Sequence, residues 1–401
     1  MAPTVEGTVA PGYEHVAEAF ARSLAEDRSE VAQCCVHVDG DPVVDLWSGP
    51  PDAVVVVFSA TKGATAACAN LLVQRGLLDL DAPVTRYWPE YGANGKEGTL
   101  VRWVLSHRAG VLAPSIPLTL DDLAEWEAVT AALAAAAPVW APGTAYGYHA
   151  QSFGWLVGEL VRRVDGRGLG AFFREEIAIP AGADFWIGLP ELHEPRVAPV
   201  VTEVPGMPAE VPSGADPGMD PGMDPGMDSG IDPGTGPSDV DMSAFVGPHQ
   251  TTAFTLGGAL PEDAVAAAAD RRLRALGAGA SGGVADARGL SRVYRWLLDS
   301  FTASTLADLP RAETGGDDLV LSSPAMAIEQ VFGRGFEVSP PAGAPAGART
   351  FGHGGAGGTT AFADVDRRLA FGYTTTRLVL GPPGSDARAS ALVDAVYRSG
   401  A

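Results

Sequence analysis

Apolar residues recur at three- and four-residue steps from Glu14 to Ala25, so the first long segment reads as an amphipathic helix. Two runs, Val31–Val38 and Pro42–Trp47, flank Asp39-Gly40, a dipeptide suited to a tight hairpin turn. Ala53–Phe58 is short, wholly apolar and rich in valine, as a strand buried on both faces would be. Directly after it, Ser59–Gln74 returns to helical spacing. From about 80 to 300 the pattern is mostly helical, at Leu100–Ser106, Asp121–Ala136, Gln151–Val164, Leu169–Ile177 and Asp286–Ser300. Strands return at Ala327–Glu337, Thr359–Val365 and Leu369–Thr376, and Ser385–Arg398 reads as a closing helix. Strands at both ends around a helical middle predict an α+β fold with one sheet built from the two termini. The expected division is 1–80 plus 310–401 for the sheet part and 81–309 for an inserted, mostly helical domain.

One stretch, about 205–245, breaks the pattern. Pro-Gly-Met-Asp occurs three times in tandem at 217–228, followed by the degenerate Ser229-Gly230-Ile231-Asp232. Alternating Pro and Gly hold neither a helix nor a central strand, so the expectation is an acidic, flexible surface insertion, with a lid over a site as the functional alternative. No Lys or Arg lies between Arg196 and Arg271, while that interval holds 12 acidic residues. The insertion therefore carries much of the chain's net charge of −22.

An acidic balance of this size argues against binding a phosphate backbone. No run of about 18 apolar residues exists to span a bilayer, and Met1–Glu26 lacks the basic and apolar regions of a secretory signal. Cys34, Cys35 and Cys68 make neither a disulfide framework nor a zinc pair. The expectation is a soluble, cytoplasmic protein. Among 27 basic residues only Lys62 and Lys96 are lysines, and a lysine, unlike an arginine, can lose its proton when buried.

Lys62 sits in Ser59-Ala60-Thr61-Lys62, between the buried strand and the helix. Three residues apart on a helix, the two side chains share a face, so the amine can reach the hydroxyl. A serine needs such a base to become a nucleophile, and a lysine near the positive end of a helix loses its proton more easily. The bland alternative is a capping serine beside an exposed lysine.

Two further segments join this one. Pro142-Gly143-Thr144-Ala145-Tyr146-Gly147-Tyr148-His149 precedes the helix at 151–164, and Phe351-Gly352-His353-Gly354-Gly355-Ala356-Gly357-Gly358 precedes the strand at 359–365. In order and separation the three resemble the motifs of the serine β-lactamase and penicillin-binding-protein superfamily, in the class C-like branch that includes the family VIII carboxylesterases. Supporting stretches look alike too: 76–84 after the serine helix, 105–111, and 283–290. The resemblance covers about 30–400 apart from the acidic insertion. It implies a β-lactamase/DD-peptidase-like fold, an antiparallel sheet flanked by helices with an inserted helical domain.

The resemblance also implies roles. Ser59 corresponds to the nucleophile and Lys62 to its base. The second motif's tyrosine lies six residues after its proline, which selects Tyr148 as a proton relay, with Tyr146 as the competing choice. His353-Gly354-Gly355 corresponds to the third motif on an edge strand, with the Ala356 N–H as oxyanion donor beside that of Ser59. His149, next to Tyr148, is a candidate lining residue. No cofactor and no metal are implied.

The departures bear on the substrate. β-Lactamases and penicillin-binding proteins start the third motif with Lys, where this chain has His353. Class C enzymes have Asn two residues after the tyrosine, where Ala150 stands. Both push towards a carboxylesterase cleaving small acyl esters through an acyl-Ser59 intermediate. A β-lactamase, a D-amino-acid-type peptidase or amidase, an acyltransferase and a non-catalytic scaffold are the alternatives. The expected partner is a small-molecule ester, with neither nucleic acid nor membrane. Gly279-Ala280-Ser281-Gly282-Gly283 matches a nucleophile elbow, but Arg271-Arg272-Leu273-Arg274 before it suits no buried strand, so Ser281 reads as a turn or cap residue. The 352–357 segment fits GxGxxG, yet a strand rather than a helix follows, so dinucleotide binding is unsupported.

Overall fold

A computed structural model describes residues 4–27, 29–202, 246–338, 347–379 and 386–399. The repeat, with the whole acidic stretch at 205–245, lies outside the described residues.

The strands in chain order are β1 (Glu6–Val9), β2 (Ala32–Val38), β3 (Asp41–Ser48), β4 (Val55–Val56), β5 (Phe185–Trp186) and β6 (Val201–Thr202). They continue with β7 (Val284–Ala285), β8 (Thr350–Gly354), β9 (Thr360–Asp364), β10 (Leu369–Thr375) and β11 (Arg377–Leu378). Six of them form one antiparallel sheet in the order β1-β3-β2-β10-β9-β8, joining the two ends of the chain. The hairpin turn is where the sequence places it: Asp39 and Gly40 both have positive φ, the geometry a two-residue turn needs. On one face Phe20 and Leu24 of the helix Glu14–Asp27 and Leu392 and Val396 of the helix Ala387–Arg398 pack over Val36, Phe362 and Phe371. The opposite face carries the helix Ala287–Ser300, laid across β10, β2 and β9. By this packing that helix goes with the sheet rather than with the inserted domain.

Two expectations differ from what is observed, while the edge strand expected at the third motif is present as β8. Ala53–Phe58 narrows to β4, which joins a small sheet β4-β7-β5 instead of the large one, although residues 53–57 are all buried. Ala327–Glu337 is not a strand, because the chain folds back at Gly333–Phe336 and only isolated bridges form at Phe332 and Glu337. β8 is a strand that propensity alone does not announce. Its glycines are held extended by pairing His353 with Ala361 and Gly354 with Thr360.

The helix Thr61–Gln74 runs through the largest core, with twelve of its fourteen residues buried, from Thr61 to Leu72. A helix apolar all round belongs inside. Its small residues Gly63, Ala64, Ala66, Ala67 and Ala69 let neighbouring elements approach from every side.

Candidate active site

The polypeptide leaves β4, turns, and enters this helix, and Ser59 stands in the turn. A single 3-10 turn spans Phe58–Ala60. Phe58 takes a φ of 45°, a left-handed conformation that costs a bulky residue about 1–3 kcal/mol and persists only where its surroundings impose it. Those surroundings are visible. Thr61 Oγ1 donates to Phe58 O at 2.6 Å and accepts from Gly283 N–H at 2.9 Å, while Val57 N–H donates to Gly283 O. Thr65 Oγ1 donates to Gly279 O at 2.7 Å. The segment 279–283 thus clamps the serine turn. Within it, Ser281 Oγ is bonded to Gln151 Oε1 at 2.8 Å, and a helix, Arg271–Ala275, precedes it rather than a buried strand.

Lys62 is wholly buried, with Nζ 3.2 Å from Ser59 Oγ and 3.0 Å from Ala280 O. No carboxylate among the described residues bonds it. Burial therefore dominates, pulling the amine down to about 7, with the nearby Glu337 opposing weakly. At neutral pH a large fraction of Lys62 is a free amine in contact with the serine hydroxyl.

Tyr148 completes the group. The Lys62 Nζ lies 4.7 Å from the centre of its ring, and its phenol is near enough to Ser59 for the serine hydroxyl to act on it. Burial holds the phenol well above its usual 10, so it stays an O–H donor while Lys62 is the group that can be a base. The backbone of Tyr148 is fixed by Asp318 Oδ1, which accepts its N–H at 3.0 Å and also those of Val320 and Leu321. The ring stacks on Phe332 at 5.8 Å. Tyr146 is tied elsewhere, donating to Gly316 O.

The third motif closes the site from β8. Gly355 comes so near the serine turn that a Cβ there would lie 2.3 Å from Val57 O. Ala356, next along, is exposed, and its N–H has no acceptor among the described residues. Two of the expected substrate-facing residues are placed differently. His149 is wholly buried: its N–H donates to His107 Nδ1 at 3.1 Å, its own Nδ1 donates to Gly147 O at 2.7 Å, and its ring packs on His107 and Trp140. It supports the tyrosine loop and does not line the cleft. His353 is also wholly buried, against Tyr148 and Phe332, and burial lowers its imidazole to about 3. Neither ring offers a charge to a substrate.

Glu337 escaped the sequence reading as a site residue. It is buried beside β8, its Oε2 accepting Gly354 N–H at 3.0 Å and its Oε1 lying 3.3 Å from His353 Nδ1. Burial pushes its carboxyl up to about 8. The available signal is an acidic residue between two apolar ones, Phe336 and Val338. A separate cleft, lined by Trp126, Arg162, Arg174 and Trp186, has no serine, cysteine, histidine or lysine in its walls.

Known proteins share this fold over nearly the whole chain. The model of the Beta-lactamase family matches residues 16–395. The "Esterase/beta-lactamase LipL" of Mycobacterium tuberculosis (strain ATCC 25618 / H37Rv) is 32% identical over 387 residues, covering 94% of this chain and 83% of that protein. A family VIII carboxylesterase structure superposes with a TM-score of 0.81 at 30% identity, covering 98% of this chain and 99% of the other. EstA from Arthrobacter nitroguajacolicus Rue61a gives 0.79 at 33% identity, with 99% and 98% covered. A fold with a clamped serine turn, a buried lysine and a glycine-rich edge strand, matched from end to end, places the chain in the Beta-lactamase family.

Proposed function

We infer that the protein is a serine hydrolase working as a carboxylesterase on small acyl esters. The observation that carries this is the contact between Ser59 Oγ and the wholly buried Lys62 amine, held near neutral by burial. In the acylation step Lys62 takes the Ser59 proton as Oγ attacks the ester carbonyl. The Ser59 and Ala356 N–H groups receive the developing oxyanion, from the turn and from the strand end that presses on it. The Tyr148 O–H, near Ser59 and beside Lys62, gives its proton to the departing alkoxide and takes in return the proton that Lys62 removed from Ser59, so both groups end as they began. Water then repeats the sequence on the acyl-Ser59 ester.

The buried, neutral His353 supports an ester over a β-lactam or peptide. The third motif supplies no cation for a substrate carboxylate, and Ala150, itself buried, supplies no amide. Among the described residues no helix is long and apolar enough to cross a membrane. A cytoplasmic setting belongs to the same proposal, supported by three cysteines that are all free and buried.

The test is the initial rate on p-nitrophenyl butyrate for the wild type and Ser59→Ala, with a chromogenic cephalosporin run alongside. Ester turnover that disappears in the variant, with little cephalosporin opening, is the expected result. Ester activity surviving in Ser59→Ala overturns the nucleophile.

A further inference from the structure

The edge of β8 facing away from β9 presents a row of N–H groups at even-numbered residues. Gly352 N–H donates to Glu337 O at 3.0 Å, within a two-way backbone pair. Continuing that pairing would give Gly354 a backbone acceptor at Gly335, but there the chain has already folded back, with Gly335 at a φ of 90°. The Glu337 side chain fills the gap, its Oε2 accepting Gly354 N–H at 3.0 Å. The next N–H of the row, that of Ala356, is open. On the opposite edge Gly355 N–H remains bonded to Thr359 O at 2.7 Å, so the strand stays extended to this point.

The same carboxyl touches His353. Nδ1 lies 2.7 Å from Gly354 O, and a carbonyl oxygen only accepts, so Nδ1 carries the hydrogen; Glu337 Oε1 lies 3.3 Å from the same nitrogen. One side chain therefore bonds Gly354 and touches His353, two successive residues of the third motif.

We propose that Glu337 is a positioning residue: it replaces the missing backbone partner of Gly354, holding the end of β8 so that the Ala356 N–H is the one left open for the oxyanion. The proposal rests on the acyl-Ser59 reading above. It has a consequence for pH. The groups facing Glu337 are Lys62, His353, Tyr148 and Tyr294, and it has no arginine partner among its bonds. Ionisation, from about pH 8, adds a negative charge at Gly354, two residues from the oxyanion donor. Lys62 is the one facing cation and is itself then losing its proton, and the rate falls.

The experiment uses the full chain with Glu337→Gln and Glu337→Met. Gln keeps an acceptor for Gly354 N–H but cannot ionise, whereas Met keeps only the length. Ser59 is first titrated with a fluorophosphonate, then kcat and KM on p-nitrophenyl butyrate are measured from pH 6 to 10, with thermal melts. Glu337→Met is expected to lose roughly 10- to 100-fold in kcat with KM within about threefold, the size a small misplacement of catalytic groups produces. Glu337→Gln is expected to recover most of the rate at pH 7 and to lack the alkaline decline of the wild type. A folded Glu337→Met with wild-type kcat overturns the proposal, and so does a Glu337→Gln profile that keeps the decline. The Gln profile decides alone should the Met variant not fold. A wild type unlabelled at Ser59 removes the acyl-enzyme reading and this proposal together, whereas labelled Ser59 with indifferent Glu337 variants removes this one only.

Discussion

Replacing Lys62 with methionine should abolish turnover and yet make the protein more stable at pH 7. Unfolded, the lysine keeps its proton to about 10.5; folded, it gives it up near 7. Folding at pH 7 must therefore discharge about half of an ammonium that water would keep charged. The difference of roughly 3.5 pH units costs about 4 kcal/mol there. Methionine of similar length fills the space without that cost. It loses the contacts with Ser59 Oγ and Ala280 O, leaving a buried carbonyl unpaired at about 1–3 kcal/mol. The balance favours Lys62→Met by about 1–3 kcal/mol at pH 7.

The sign with pH is fixed by the same shift. Because the folded value is depressed, the unfolded chain binds more protons between about 7 and 10.5, and wild-type stability recovers as pH rises through that window. The lysine cost falls to about 2 kcal/mol by pH 9, so the two proteins should converge there. Glu337 contributes an opposite trend, its raised carboxyl losing stability between about 4.5 and 8, but it is present in both proteins and largely cancels in the difference. Urea unfolding followed by tryptophan fluorescence at pH 7, 8 and 9 measures the gap. A variant less stable than the wild type at pH 7, or a gap that does not narrow with pH, would refute the account of Lys62 as a buried, discharged base. The trade itself is ordinary: catalytic groups are held where they cost stability.

Two further substitutions separate chemistry from support. Tyr148→Phe removes one O–H and keeps the ring that stacks on Phe332, so melting temperature should move by no more than about 2 °C while kcat falls by roughly 10²–10⁴; a variant retaining a tenth of the wild-type rate rules out the relay. Gly355 has φ −122° and ψ 154°, which any residue adopts, so Gly355→Ala tests sterics alone: its Cβ would meet Val57 O at 2.3 Å and drive the strand end from the serine turn. A loss of about 1–3 kcal/mol with a fall in kcat is expected, and unchanged melting and turnover would show that the close approach is unnecessary.

What the sequence makes legible here is what is local. The Asp39-Gly40 hairpin, the serine helix and the pairing of Ser59 with Lys62 each depend on residues within a few positions of one another. Glu337 becomes a site residue through Gly354, 17 positions on, and only because the chain folds back at 333–336 and removes the backbone acceptor that a continuous strand would have supplied. The same fold-back is why the expected strand at 327–337 does not form. The burial of His149 and His353 is hard to read from sequence for a related reason. Adjacency in sequence to Tyr148 and Gly354 says nothing of which way an imidazole is packed, and here both rings are enclosed among His107, Trp140, Tyr148 and Phe332.

The two lysines show how burial alone can be read for chemistry. Both ammonium groups are enclosed, and among the described residues neither bonds a carboxylate. Lys96 donates to three carbonyls, Ala93 O, Ala134 O and Ala136 O, two of them at the C-terminal end of the helix Trp126–Ala135, where partial negative charge gathers. All three protons are used, so the charged form is the one this site holds together. Lys62 has one carbonyl, Ala280 O, and one hydroxyl, and the hydroxyl is that of Ser59. A neutral amine there loses little and gains an acceptor lone pair aimed at the serine proton. Arginine, which the chain uses at all 25 other basic positions, suits neither place. Its planar fork does not fit inside three converging carbonyls, and it does not deprotonate beside a serine. The two lysines are both wholly buried, and their partner sets differ: three carbonyls hold Lys96, whereas Lys62 meets one carbonyl and the Ser59 hydroxyl, the set that the proposed base requires.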